Sequence, residues 1–212
     1  MASRTPPAFA TGFAAGTLVQ TARGLRPIER LVAGEDALEF RDGTTAPLLH
    51  LHGATFTEAD LEADDALHPV AIPALALGGS VPARPLLVSR DVRIHAQGRL
   101  VNRVAETPEV LLPVSSLLGA PDIERVRPAG GMTYYHLVAA THQVLRVEGL
   151  MCETLYLGPG ADGDLRAAIE ARTGTLIHTE TFPRIDAETG ARLTEKLARK
   201  GRAPTSDEAP AP

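Results

Sequence analysis

Apolar and polar residues alternate in short runs along most of the chain, and turn residues interrupt the runs at close intervals. Residues 16–21 alternate with strand period and end at the turn Ala22-Arg23-Gly24. Further runs at 37–40, 47–52, 69–72, 86–88, 92–96, 110–114, 132–139 and 143–147 read as strands, the first of them ended by Asp42-Gly43. Gln97-Gly98 reads as a hairpin turn into a strand over 100–104, and Ala140-Thr141-His142 as the turn of a late hairpin. Many short strands separated by frequent turns predict a mainly β domain rather than alternating strand–helix units.

The texture changes after Leu157. Leu165, Ala168, Ile169 and Ala171 recur with helical spacing, which predicts a short helix over 164–173. Residues 176–179 read as one more strand. Residues 186–200 read as a second helix, with Lys196, Arg199 and Lys200 at its C-terminal, negative dipole end. The expected organisation is a flexible segment over 1–9, a β domain over 10–157, a helical extension over 158–200 and a disordered tail over 201–212 rich in Pro, Ala and acidic residues.

Composition narrows the function class. With aromatic residues at only 4% and no Trp, the core must be aliphatic. A formal net charge of -5 and the lack of a basic run point away from nucleic acid and from anionic membranes. One cysteine, Cys152, allows no disulfide within the chain. No apolar stretch behind a basic start marks a signal peptide, and no run of 18 apolar residues marks a span, so the expected compartment is the cytoplasm by default.

Four stretches carry chemistry-bearing positions in a fixed order. The first is Gly12-Phe13-Ala14-Ala15-Gly16-Thr17, followed by Gly24, Pro27-Ile28-Glu29-Arg30-Leu31 and Gly34-Glu35-Asp36. The second is His68-Pro69-Val70-Ala71-Ile72, leading to Leu86-Leu87-Val88-Ser89-Arg90-Asp91-Val92-Arg93. The third is Glu109-Val110-Leu111-Leu112-Pro113-Val114. The fourth combines Thr133-Tyr134-Tyr135-His136-Leu137, His142-Gln143-Val144-Leu145, Glu148-Gly149-Leu150 and Glu153-Thr154. Together they resemble the bacterial Hedgehog/intein (Hint) family over about residues 10–157. The resemblance implies a compact β horseshoe that brings the chain start beside the central and terminal blocks. It also implies a chemistry in which an N-terminal Cys attacks the preceding carbonyl to form a thioester, assisted by a central-block His.

The chain departs from that pattern twice. Gly12 stands at the Cys position and offers no nucleophile. Val92 stands at the central-block His position and can neither take nor give a proton. His142 matches the terminal-block His and is the candidate remnant. The expectation is therefore a degenerate Hint domain, inactive in autoproteolysis and acting as a scaffold or interaction domain for a protein partner. Two alternatives stand beside it: residual C-terminal cleavage aided by His142, and nucleotide binding at Gly158-Pro159-Gly160-Ala161-Asp162-Gly163. The latter formally matches a dinucleotide fingerprint, follows a β-like run at 154–157 and has Glu180 about 20 residues on.

Other reactive side chains read as structural. His136 on a strand-patterned run reads as packed. Thr11 and Thr17 carry hydroxyls near Gly12 but lack an evident base. Cys152 has no cationic neighbour to activate it. His95 falls on the opposite strand face from Val92. His50 and His52 share one strand face, yet no third ligand is spaced to complete a metal site, and Asp60, Glu62, Asp64 and Asp65 read as a solvated loop. No metal or cofactor is expected.

Overall fold

The computed structural model describes residues 11–78, 80–158, 163–174 and 179–200. The expected flexible N-terminal segment, the tail from 201, most of the 176–179 run and the middle of the Gly158–Gly163 turn lie outside these residues. The alternating runs become fourteen short strands among the described residues: β1 (Phe13–Ala14), β2 (Leu18–Thr21), β3 (Gly24–Pro27), β4 (Ala37–Glu39), β5 (Thr45–Pro47), β6 (His50–Phe56), β7 (Val70–Ile72), β8 (Leu86–Val88), β9 (Arg93–Gln97), β10 (Glu109–Pro113), β11 (Glu124–Arg125), β12 (Met132–Val138), β13 (Val144–Val147) and β14 (Leu150–Glu153). Four helices join them: α1 (Glu58–Ala63), α2 (Arg99–Ala105), α3 (Gly163–Thr173) and α4 (Ala187–Ala198).

The strands form two sheets, and the chain is mainly β as expected. One sheet runs β11-β7-β8-β1-β12-β6; the other runs β10-β9-β14-β13-β2-β4-β5, with β3 paired to β2. Every pairing between these strands is antiparallel. Strand alternation puts one face of each sheet inward. Phe13, Val19, Val70, Ile72, Val88, Ile94, Leu112, Leu137 and Leu145 meet in one large, mostly aliphatic core.

Four local expectations are corrected. The run at 47–52 is two strands, because the chain changes sheets inside it: Leu48 N–H donates to the Asp36 carbonyl at 2.8 Å, but Leu49 N–H donates to the Val138 carbonyl at 2.9 Å. Residues 100–104 form α2, not a strand; Leu100 and Val101 are buried and Val104 packs against the core one turn later, a helical spacing. The strands β12 and β13 do not make a hairpin. β12 lies between β1 and β6, whereas β13 pairs with β14 and β2 in the other sheet. The hairpin is β13–β14, turning at Glu148-Gly149 with Val147 opposite Leu150. The run at 154–157 forms no strand.

The C-terminal elements pack on the β body. Ile169 of α3 joins Val138, Leu155 and Leu157, and Leu193 and Leu197 of α4 enter the main core. Asp186 caps α4, its carboxylate accepting from Thr189 N–H at 2.7 Å. Before α4, residues 181–185 lie along β10: Leu111 N–H donates to the Pro183 carbonyl at 2.8 Å and Ile185 N–H to the Leu111 carbonyl at 3.0 Å. No helix among the described residues is long and apolar enough to cross a membrane.

Candidate functional site

β1 is only two residues long, yet it is held on both sides. Phe13 is opposite Val88 of β8 and Tyr135 of β12. This places Gly12 between the central and terminal blocks. Its N–H donates to Ser89 Oγ at 2.9 Å, and its carbonyl accepts from Ser89 N–H at 2.8 Å. The residue is buried and has φ +142, a backbone conformation that favours glycine. A Cβ added here would lie 2.3 Å from the Tyr135 carbonyl oxygen and 2.7 Å from its carbon. The space where a nucleophilic side chain would start is thus occupied by the backbone of β12.

Val92 has no exposed surface and belongs to the main core. Its isopropyl group adds packing and no proton chemistry. The side chain that bonds the Gly12 N–H is instead that of Ser89, 2% exposed, whose hydroxyl also donates to Thr11 Oγ1 at 3.3 Å. Thr17 is committed elsewhere, its hydroxyl donating to the Ala14 carbonyl at 2.6 Å. The structure therefore brings Gly12, Ser89 and Thr11 together in a hydrogen-bonded cluster that contains hydroxyls and backbone but no carboxylate or imidazole.

His142 belongs to a different cluster. Its side chain is wholly buried, and its Nε2 lies 3.2 Å from Glu153 Oε2. Its Nδ1 accepts from Thr181 N–H at 3.4 Å, while the Thr181 hydroxyl donates to the His142 carbonyl. With Nδ1 accepting, Nε2 is the nitrogen that faces the Glu153 carboxylate. The ring meets Tyr156 edge-on at 5.0 Å. On the far side of Glu153, Oε1 accepts from Arg93 N–H at 3.2 Å and lies 3.7 Å from the Arg184 guanidinium, which stacks 4.6 Å above the Tyr156 ring. Burial, and then the neighbouring Arg184, lower the Arg93 pKa.

The remaining candidates are placed as follows. His136 is buried, accepts Leu137 N–H on Nδ1 at 3.0 Å and meets Phe13 edge-on at 5.8 Å; burial first, then His52 and His142, push its pKa down to about 3. Cys152 is buried in the core and burial pushes its thiol up, so it is not activated. His95 pairs with Glu109 at 3.2 Å and packs on Phe182 at 4.8 Å. His50 and His52 stand on β6 with rings 6.2 Å apart, and among the described residues no group of three metal-ligating side chains is placed to hold an ion. Gly158 lies against the Tyr156 ring rather than at the end of a strand.

Sequence reading did not single out Ser89, Thr181 or Arg184. Glu153 was within the fourth block, eleven residues from His142, but their pairing across the β13–β14 hairpin was not legible from spacing. Nothing in the pattern of 179–185 signalled that this segment covers His142.

Residues 11–159 match the family model described as the Hint domain. No curated protein matches. Among solved structures, the chain is similar to a bacterial intein-like domain from Clostridium thermocellum, with 15% identity, TM-score 0.44, and coverage of 68% of this chain and 99% of that one. It is also similar to the gp41-1 intein (12% identity, TM-score 0.42, covering 67% and 98%). A splice-inactive variant of the AceL NrdHF class 3 split intein has 14% identity and TM-score 0.41, covering 72% of this chain and 99% of that chain.

Proposed function

The chain belongs to the Hint domain family, and on that premise we propose that it is a non-processing member, kept as a scaffold or interaction domain for a protein partner. The observation that carries the reading is the state of Gly12. An acyl shift needs a side-chain nucleophile at that position, and the backbone of β12 stands 2.3 Å from where its Cβ would be. Val92 supports the same reading, since an apolar core residue supplies no general base. Cleavage by His142 gains no support from the geometry. Both ring nitrogens are engaged, and the side chain has no exposed surface.

Hydroxylamine tests the proposal, because it breaks thioesters and oxoesters but leaves folded peptide bonds intact. Treated protein is expected to keep its Thr11–Gly12 bond. A new N-terminus at Gly12 would overturn the reading.

A further inference from the structure

The His142–Glu153 pair takes no part in the function proposed above, yet it is a histidine–carboxylate couple. Thr181, in the segment 181–185, lies against it. Across residues 181–185 no side chain is fully buried, and Thr181 and Pro183 are exposed. Beneath them, the His142 and Glu153 side chains are 0% and 4% exposed. Among the described residues the segment's backbone makes two backbone hydrogen bonds to β10, and Ile185 is only partly buried against the main core; a segment without a fully buried side chain opens before the core does.

We propose that residues 181–185 form a displaceable strap over His142, and that its opening uncovers a ready general base. The contacts define the fastening. Thr181 holds both Nδ1 and the carbonyl of His142, Phe182 packs on His95 with Arg41 5.4 Å from its ring, and Arg184 spans Tyr156 and Glu153. Arg93 donates to the Ile185 carbonyl and the backbone pairs with Leu111. The consequence lies at one atom. Glu153 faces Nε2 whether the strap is closed or open, because both residues belong to the body of the fold. Among the described residues, the Nδ1 lone pair is held by the strap's Thr181 N–H. Lifting the strap therefore frees the accepting nitrogen of an imidazole that Glu153 keeps oriented, the geometry that general-base catalysis requires. This inference rests on the reading of the chain as non-processing only in taking His142 as idle in the closed state.

Carbethoxylation by diethylpyrocarbonate, mapped by mass spectrometry, reads the accessibility of each His and is indifferent to backbone cleavage. Self-cleavage would appear in the same spectra as new termini, so the two readings fail separately. In the intact chain, His142 is expected to react far more slowly than in the urea-unfolded chain. The double variant Phe182→Ala/Arg184→Ala should raise the His142 rate by about tenfold or more while His136, which the strap does not touch, stays protected. A folded variant with His142 still unreactive would overturn the proposal, as would a wild-type His142 that reacts at the unfolded rate. If the variant does not fold, hydrogen exchange on the wild type decides. The Ile185 amide should exchange through local opening, well ahead of Leu155 N–H, which donates to the Leu137 carbonyl at 2.8 Å; exchange of both only by global unfolding would sink the strap.

Discussion

Gly12 is held by sterics as well as by chemistry. Its N–H and carbonyl are both committed to Ser89, its φ is +142, and the Tyr135 backbone closes on the missing Cβ. Gly12→Ala should therefore destabilise the fold, by about 1–3 kcal/mol for a strained backbone and a forced shift of β12, read as a lower midpoint in urea. An unchanged midpoint would mean that the site has room for a nucleophile. His136 gives a pH prediction with a definite sign. Its folded pKa of about 3 lies below the ordinary 6.5, so the unfolded chain binds the proton more readily between those values. Stability from this residue is complete above about pH 6.5 and drains away as pH falls toward 3, with a slope of up to about 1.4 kcal/mol per pH unit. Denaturation midpoints measured from neutral to mildly acidic pH should fall, and His136→Gln should fall less steeply. Cys152 should ignore thiol reagents until the chain unfolds, since its buried thiol is held protonated.

The α4 helix shows how packing overrides local propensity. Alanine is about 1 kcal/mol better than glycine in a helix interior, so Gly190→Ala would stabilise an isolated helix. Here a Cβ would stand 2.1 Å from Ser116 Oγ and 2.7 Å from its Cβ, in the turn after β10. The expected thermal shift is downward, and an upward shift would refute the close approach. Asp186→Ala removes the cap on Thr189 N–H and should cost about 1 kcal/mol in the same assay. These elements also mark what sequence pattern carries. The strand at 86–88 was readable because three consecutive apolar residues stand between Pro85 and the Ser89-Arg90 break, and the α4 helix was read with Lys196, Arg199 and Lys200 at the end that suits its dipole. Residues 100–104 were not, since five residues with two Val fit either period and only burial against the core selects the helix. The partnership of β12 with β1 and β6 was illegible too, because pairing between distant strands leaves no trace in spacing.

Two sheets wrapped on one aliphatic core bring Gly12, the Ser89 region and β12 into contact across more than 120 residues of sequence. On the proposed reading, Gly12 and Val92 stand where a Hint reaction would start and supply no side chain to run it. The two positions were proposed from motif order alone. Their surroundings needed the structure, because the close approach of Tyr135 to Gly12 and the burial of Val92 are three-dimensional facts. The most direct test is the intact mass of the purified chain, fresh and after several days at about 37 °C with excess thiol. The account predicts one unchanged species at 22.4 kDa. Fragments whose masses add up to the whole through a break at the Thr11–Gly12 bond would contradict it.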